Sequence, residues 1–495
     1  MAFLVLAVAL LALPAQSQPF WPQFRGPSGR GVSESAHPPI TFSTTNALWT
    51  VEIPPGHSSP CVWGAKIFLT AFHENKLECR AYDRATGKAL WTKVVPADKI
   101  EKTQEFNNPA APTPVADAKC VIFYFGSYGL LACSHDGTLL WEKKLPMQVS
   151  RGEYGSGSSP VLCGDFVVQA LDTDDGGSHL LALKRATGET AWDVPRPLFK
   201  AGWSTPIVWP GSGIESGKNE LVVLGSKKLT AYDSADGKEL WSVPGFPNEP
   251  APSLAFDEKQ LYVCSAGMGG RSNPEFGGVR WSDVQKFDAS KEGQVRLDHV
   301  PDDAPFVLRP ELPLGHPGRD FPVPLGVILK SLDTNKSGIV TKADWDKTMA
   351  AFESMDKPVL MALRLEARTD NQRISWQVSR GIPEVPSPLC YQGRLFLIRN
   401  GGLLQCYSAE SGTPLYQERI GVAGGYFASP IGADGRVYLA SESGTITVVD
   451  ARADKLALLS QNAIGEQITA TPALAEDKLY VRTDKHLFAF GTRTN

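Results

Sequence analysis

The chain has 495 residues, with 49 Lys and Arg against 53 Asp and Glu, for a formal charge of −4. Its 42% apolar and 21% charged residues support a buried core and exclude a disordered chain. The acidic balance lacks the basic face of a nucleic-acid protein, and 46 Gly with 38 Pro favour many turns over long helices.

Residues Ala2 to Leu13 are small and apolar without interruption, and Ala15-Gln16-Ser17 then offers a small-x-small cleavage site. Residues 1–17 therefore read as a secretory signal peptide, although no Lys or Arg precedes the apolar run. The run is too short to cross a membrane, and no later stretch reaches about 18 apolar residues. The first cysteine is Cys61, so no lipoprotein anchor stands at the cleavage site. The expectation is a soluble, exported monomer, periplasmic or secreted. Eight cysteines would permit disulfides there. Cys163 and Cys390 closely follow strand-opening prolines, and Cys79, Cys133 and Cys406 fall on or beside one equivalent strand, which favours free buried thiols.

The next feature along the chain is a repeat. Ala81-Tyr82-Asp83, Thr86-Gly87-Lys88 and Leu90-Trp91 return as Ala231-Tyr232-Asp233, Asp236-Gly237-Lys238 and Leu240-Trp241. Looser copies end at Trp141, Trp192 and Tyr416. A proline opens each unit, usually after Ser or Thr: Pro60, Pro114, Pro160, Pro206, Pro252, Pro388, Pro430 and Pro472. Their spacings are 54, 46, 46, 46, 136, 42 and 42, so eight units are present and one carries about 90 extra residues. Each unit reads as four short strands, with Pro where a ladder donor is spared and Gly in the hairpin turn. Such a unit is a propeller blade. The last unit lacks its Leu-Trp strand, while Leu48-Trp49 stands alone before the first. The N-terminal strand is therefore expected to complete the final blade, which removes two exposed edges. Trp91, Trp141, Trp192, Trp241 and Trp376 are expected to pack between blades, with Tyr416 and Leu458 substituting.

The AxDxxTGxxLW pattern resembles the tryptophan-docking repeat of the PQQ-like β-propeller superfamily, which includes quinoprotein alcohol dehydrogenases and the BamB-type outer-membrane assembly scaffold. The opening Trp21-Pro22-Gln23-Phe24-Arg25-Gly26-Pro27 and the closing Tyr480–Phe490 stretch are similar to an exported bacterial branch of it. The resemblance is specific for fold and weak for activity.

The long unit carries an insertion over residues 270–372 of blade five. Within it Asp333, Asn335, Ser337, Gly338, Ile339, Thr341 and Asp344 follow the spacing of an EF-hand loop. A hard calcium ion needs about six to eight oxygens, which such a loop supplies from alternate side chains and one carbonyl. The expected ligands are Asp333, Asn335, Ser337, the Ile339 carbonyl, Thr341 and Asp344. Asp344 is shorter than the usual Glu, so modest affinity is expected. Helices should flank the loop, with Trp345, Met349 and Phe352 on one face. A second loop, Asp288 to His299, keeps Asp288, Ser290, Glu292, Gly293 and Val295 but ends in His299, a poor hard-ion ligand. It reads as a metal-free sibling whose Val295 pairs with Val340.

The fold class is thus all-β: an eight-bladed β-propeller of four-stranded blades, closed by the N-terminal strand, with a small α-helical EF-hand insertion. The expected division is 1–17 leader, 18–269 first blades with the closing strand, 270–372 insertion and 373–495 remaining blades. Loops at one propeller mouth carry His57, Asn107, Asn108, Glu153, Tyr154, Trp203, Glu384 and Tyr426, and Glu153 with Glu384 form a candidate acid–base pair. The adjacent cysteine pair of quinoprotein dehydrogenases is missing, and no phosphate loop, GxSxG or HExxH occurs. The sequence reading is a non-catalytic, calcium-binding scaffold for an envelope protein, peptide or glycan. Two alternatives stand: a PQQ-dependent oxidoreductase using the mouth, and a purely structural propeller with relic calcium loops.

Overall fold

The computed structural model describes residues 20–150, 152–210, 219–266, 280–288, 290–307, 309–316, 319–320, 323–355, 358–364 and 370–492. The expected leader, residues 1–17, lies outside the described residues. Eight antiparallel sheets follow one another along the chain, each with four strands running from the axis outward. Blade one shows the order: Cys61–Trp63, Lys66–His73, Lys76–Asp83 and Ala89–Val95. Its inner strand meets those of blade two and blade eight, which closes the ring.

Burial follows position in the blade. The central strands Val121–Phe125 and Gly129–Cys133 are buried at every residue, because both faces lie against neighbouring blades. They consequently read as continuous apolar runs rather than alternating ones. Each Phe or Leu so placed contributes about 1.5–3 kcal/mol. The outer strand Ala89–Val95 alternates towards solvent. All eight cysteines are free and buried, as their strand positions indicated.

Tryptophans lock the blades together. Ala81, Ala132, Ala182, Ala231 and Ala362 pair with Trp91, Trp141, Trp192, Trp241 and Trp376, and a one-residue bulge sits at each pair. The indole N–H of Trp91 donates to the His135 carbonyl at 3.0 Å, Trp141 to Arg185 at 2.8 Å, and Trp376 to Ala409 at 3.1 Å, each in the next blade's turn. The indole covers that turn's glycine. A Cβ on Gly188 (φ +74°) would lie 2.6 Å from Trp141. Trp241 differs, because blade five lacks the Thr-Gly turn: its N–H donates to Glu220, and the Arg373 guanidinium lies over its ring at 4.3 Å.

Strand Trp49–Glu52 pairs with His486–Gly491, and Trp49 faces Ala489. The N-terminal strand therefore completes blade eight and supplies its docking tryptophan, which donates to the Arg84 carbonyl. Blade seven corrects one expectation. Ser460, not Leu458, holds the tryptophan position opposite Val448, and Leu458 is 48% exposed. The seam is filled instead by the N-terminal segment. Ser460 and Asn462 donate to the Ile40 carbonyl, and Phe42 packs on Phe490 at 4.6 Å.

The opening Trp21–Gly31 stretch runs along the inner strands. Trp21 and Val62 exchange backbone hydrogen bonds, Ala116 donates to Pro22, and Gly432 donates to Gly31. Val32–Ser33 then adds a fifth, parallel strand to blade seven. Arg25 is fully buried and gives its guanidinium to the carbonyls of Leu254 and Pro388, in blades five and six. Gly26, at φ +68°, is required because a Cβ would meet the Trp21 ring at 2.4 Å. The segment thus ties the inner edges of blades on opposite sides of the ring.

Blade five consists of Ala255–Phe256, Gln260–Ser265, Val359–Arg364 and Ile374–Val378. The insertion therefore separates its second and third strands and ends before Val359, earlier than residue 372. The boundary was misplaced because the third strand carries Ala362 but no Tyr-Asp and no Thr-Gly turn. The inserted lobe has a core of its own, in which Val284, Val295, Leu325, Leu329, Val340 and Trp345 are buried. Helices Leu325–Leu332 and Lys342–Met355 flank its main loop, and Val295 pairs with Val340 in a short antiparallel bridge.

Candidate functional site

The residue preceding most strand-opening prolines has a second role. Ser59 N–H donates to Thr113 Oγ1 at 2.9 Å, Thr113 to Ser159 at 2.9 Å, Ser159 to Thr205 at 3.0 Å and Thr205 to Ser253 at 2.8 Å. Ser253 continues to Ser387, Ser387 to Ser429 and Ser429 to Thr471. A chain of backbone-to-hydroxyl bonds thus runs from blade one round to blade eight. In blade five the member is Ser253, which follows Pro252, so Ala251 is not a gap in the pattern. These hydroxyls line an axial cavity of about 280 Å³.

The cavity gathers His57, Asn107, Tyr154, Trp203 and Glu384 from the mouth loops. Trp203 donates to the Gly155 carbonyl at 2.7 Å and stands edge-on to Tyr154 at 5.7 Å. Asn107 donates to the Tyr154 carbonyl. Loss of hydration and the nearby Arg482 push His57 down to about 4, against the Asn107 hydrogen bond, so its imidazole is neutral at neutral pH.

Three expected residues lie elsewhere. Glu153 is exposed and pairs with Lys102 at 3.1 Å, so it forms no acid–base pair with Glu384. Tyr426 is buried between blades and donates to the Val422 carbonyl. Asn108 accepts from the Ala110 amide and opens a turn.

The sequence did not reveal that the insertion reaches this mouth. Arg309, Leu312 and Asp320 line the cavity. Arg309 pairs with Glu384 at 2.5 Å, and His316 pairs with Glu442 at 2.8 Å and stacks against Phe427. Residues 309–316 and 319–320 belong to a strap. The strap is rooted in the lobe on both sides, through Ala304 and Phe306 before it and Leu325 after it. Phe24, from the N-terminal segment, also contributes to the cavity wall.

In the lobe's main loop, Asp333 accepts from the amides of Ser337 at 2.9 Å and Gly338 at 2.8 Å. Gly338 has φ +73°. Asp344 accepts from the Thr341 amide and hydroxyl, which caps the following helix. The side-chain hydrogen bond from Thr341 lowers the Asp344 carboxyl below its usual range, and its amide bond adds to this. In the sibling loop Asp288 accepts from Ser290 and Arg296, and His299 lies 3.3 Å from its second oxygen. Among the described residues no three His, Cys, Asp or Glu side chains cluster as metal ligands, so any ion in the main loop depends on neutral oxygens as well.

The family model described as outer membrane protein assembly factor BamB matches residues 40–170, 75–246, 176–296 and 362–494, most of the chain. The chain belongs to this family. The matched ranges overlap, as expected where one repeat fits several registers of a repeated model. No curated protein matches the chain. Among solved structures, BamB from Moraxella catarrhalis is similar at 10% identity and TM-score 0.52, over 90% of this chain and 98% of that one. The computationally designed Ika8 protein is similar at 9% identity and TM-score 0.53, over 90% and 100%. A europium-containing methanol dehydrogenase follows at 11% identity and TM-score 0.49, over 88% and 90%, too weak a likeness to argue from. At such identities these neighbours share the fold alone. No helix among the described residues is long and apolar enough to cross a membrane.

Proposed function

We propose that the chain is an exported, non-catalytic scaffold of the cell envelope that binds extended segments of partner proteins and carries a calcium-responsive lobe. The observation that carries this reading lies on the outer blade edges. The bulge beside Trp91, Trp141, Trp241 and Tyr416 turns the preceding leucine outward: Leu90, Leu140, Leu240 and Leu415 are between 37% and 51% exposed. Exposed leucines repeated around a ring, next to strand edges with unpaired backbone, suit an extended polypeptide. The family's description as an outer membrane protein assembly factor is consistent with a β-strand client. Fluorescence anisotropy with a labelled β-strand peptide from an outer-membrane β-barrel tests it. Saturable binding that weakens in Leu140→Lys and Leu240→Lys supports the scaffold; no binding contradicts it.

The main loop fits calcium. Asp333, Asn335, Ser337, the Ile339 carbonyl, Thr341 and Asp344 would hold the ion, and Asp333 is already oriented by two amides. In the sibling loop the His299 side chain stands where a ligand would be, next to Asp288. Titration calorimetry should show one calcium site, lost in Asp333→Ala; two sites or none would contradict this assignment.

The oxidoreductase alternative is weaker. Among the described residues the cavity wall carries one guanidinium, itself paired, and the carboxylates of Glu249, Asp320 and Glu384. No cysteine lines it. These residues do not suit a polycarboxylate quinone such as PQQ.

A further inference from the structure

We infer that the axial cavity is a binding site for a small uncharged polyol, a mono- or disaccharide. Size and enclosure come first. The cavity of about 280 Å³ lies just below the usual span of ligand pockets, about 300–1,000 Å³, and so suits a small ligand. Arg309 and Leu312 of the strap line it, with Arg309 paired to Glu384 of the mouth, and Phe24 from the N-terminal segment contributes to its wall. A folded partner does not fit such a space.

Charge then selects the ligand. Arg309 is paired with Glu384 and Arg319 with Asp320 at 3.0 Å. Arg309 and two of the wall's three carboxylates, Glu384 and Asp320, are therefore engaged in ion pairs, and among the described residues the wall's carboxylates outnumber its cations, which disfavours an anion. A cation at Glu384 or Asp320 would have to break an existing pair. Beside Glu249, the wall's other polar groups include the neutral Gln104, Asn107, Asn400 and the Ser/Thr hydroxyls. Seven of those hydroxyls each accept one backbone N–H, which leaves their own protons available to an acceptor. Ser265 supplies an independent sign. Its side chain is 1% exposed, lines the cavity and has no hydrogen-bond partner. A buried hydroxyl without a partner costs about 1–3 kcal/mol, which a ligand hydroxyl would recover.

Shape completes the case. Tyr154, Trp203, Phe106 and Phe427 place aromatic surface beside these groups. A sugar ring presents apolar C–H faces bordered by hydroxyls that both donate and accept, so it matches aromatic faces and neutral hydroxyls together.

The test uses the full mature chain, with intrinsic tryptophan fluorescence and titration calorimetry. The probes are glucose, maltose and trehalose, with glucuronate and glucosamine as charged controls. At least one neutral sugar should bind saturably at one site and more tightly than either charged control. Ser265→Ala should weaken it by up to about tenfold, the loss of one hydrogen bond, and Trp203→Ala by more. Circular dichroism confirms that each variant is folded; if Trp203→Ala is not, Ser265→Ala decides. No saturation with any neutral probe, tighter binding of a charged control, or an affinity indifferent to Ser265→Ala would each overturn the proposal.

Discussion

Trp141 shows how one side chain holds two blades. Its ring is buried, its N–H donates to the Arg185 carbonyl and its face covers Gly188. Replacing it with Ala should cost about 3–5 kcal/mol. The effect would be read as a lower denaturant midpoint with an unchanged slope. Gly188→Ala should also destabilise, and the double variant by less than the sum, because the two residues share one contact. Full additivity would mean that the indole does not dock on that turn. These residues were legible because the tryptophan and its turn recur within a short repeat. Leu458 was misread because a single bulged residue moves the tryptophan position to Ser460, and spacing does not show a bulge. Glu101 was not legible at all. Burial pushes its carboxyl up to about 7, against hydrogen bonds from Ser156. The folded state thus holds this proton more tightly than the unfolded chain does. The resulting stabilisation is complete below about pH 4.5, the unfolded value, and is lost as pH rises through about 7. Glu101→Gln keeps a neutral acceptor, so denaturation midpoints of that variant should fall less over this range than those of the wild type. Parallel curves would contradict the assignment.

At the scale of elements, two segments without regular repeat signatures organise the axis. The opening Trp21–Gly31 stretch was legible as a motif but not as a part of the ring, since its partners lie hundreds of residues away: Arg25 reaches Leu254 and Pro388. Gly26→Ala should destabilise by about 1–3 kcal/mol, because its Cβ would overlap the Trp21 ring in a left-handed conformation. A neutral effect on the melting temperature would argue against this packing. The strap was hidden for the same reason, as Arg309 and Glu384 are 75 residues apart and His316 and Glu442 are 126 apart. Removing both links in Arg309→Ala/His316→Ala should raise hydrogen exchange in residues 309–316 and leave the blade strands unchanged. Exchange that stays slow in the strap would show that its anchors lie elsewhere. Such loosening should also speed exchange of small molecules with the cavity.

At the scale of the molecule, the ring and the lobe are built by different means. The ring closes by pairing Trp49 with Ala489 and is stapled by tryptophans between blades. The lobe has its own core around Trp345 and meets the ring through the strand ends of blade five and the strap. The propeller was readable because each blade restates the same pattern. The insertion's end was not, because Val359–Arg364 is a blade strand without the motif's Tyr-Asp. The mouth was only partly readable: its loops were located, but which side chains converge depends on the hydroxyl chain and on the strap. The proposed function joins a closed ring whose edges meet a partner to a separable lobe that responds to calcium. Scanning calorimetry of the mature chain, with calcium and with chelator, tests this most directly. An ion binding only the ordered lobe at about 100 times its dissociation constant stabilises it by about 2.7 kcal/mol. Two transitions are expected, the smaller one raised by calcium in the wild type but not in Asp333→Ala, with the larger one unmoved. A single transition shifting as a whole, or no response to calcium in either, would contradict it.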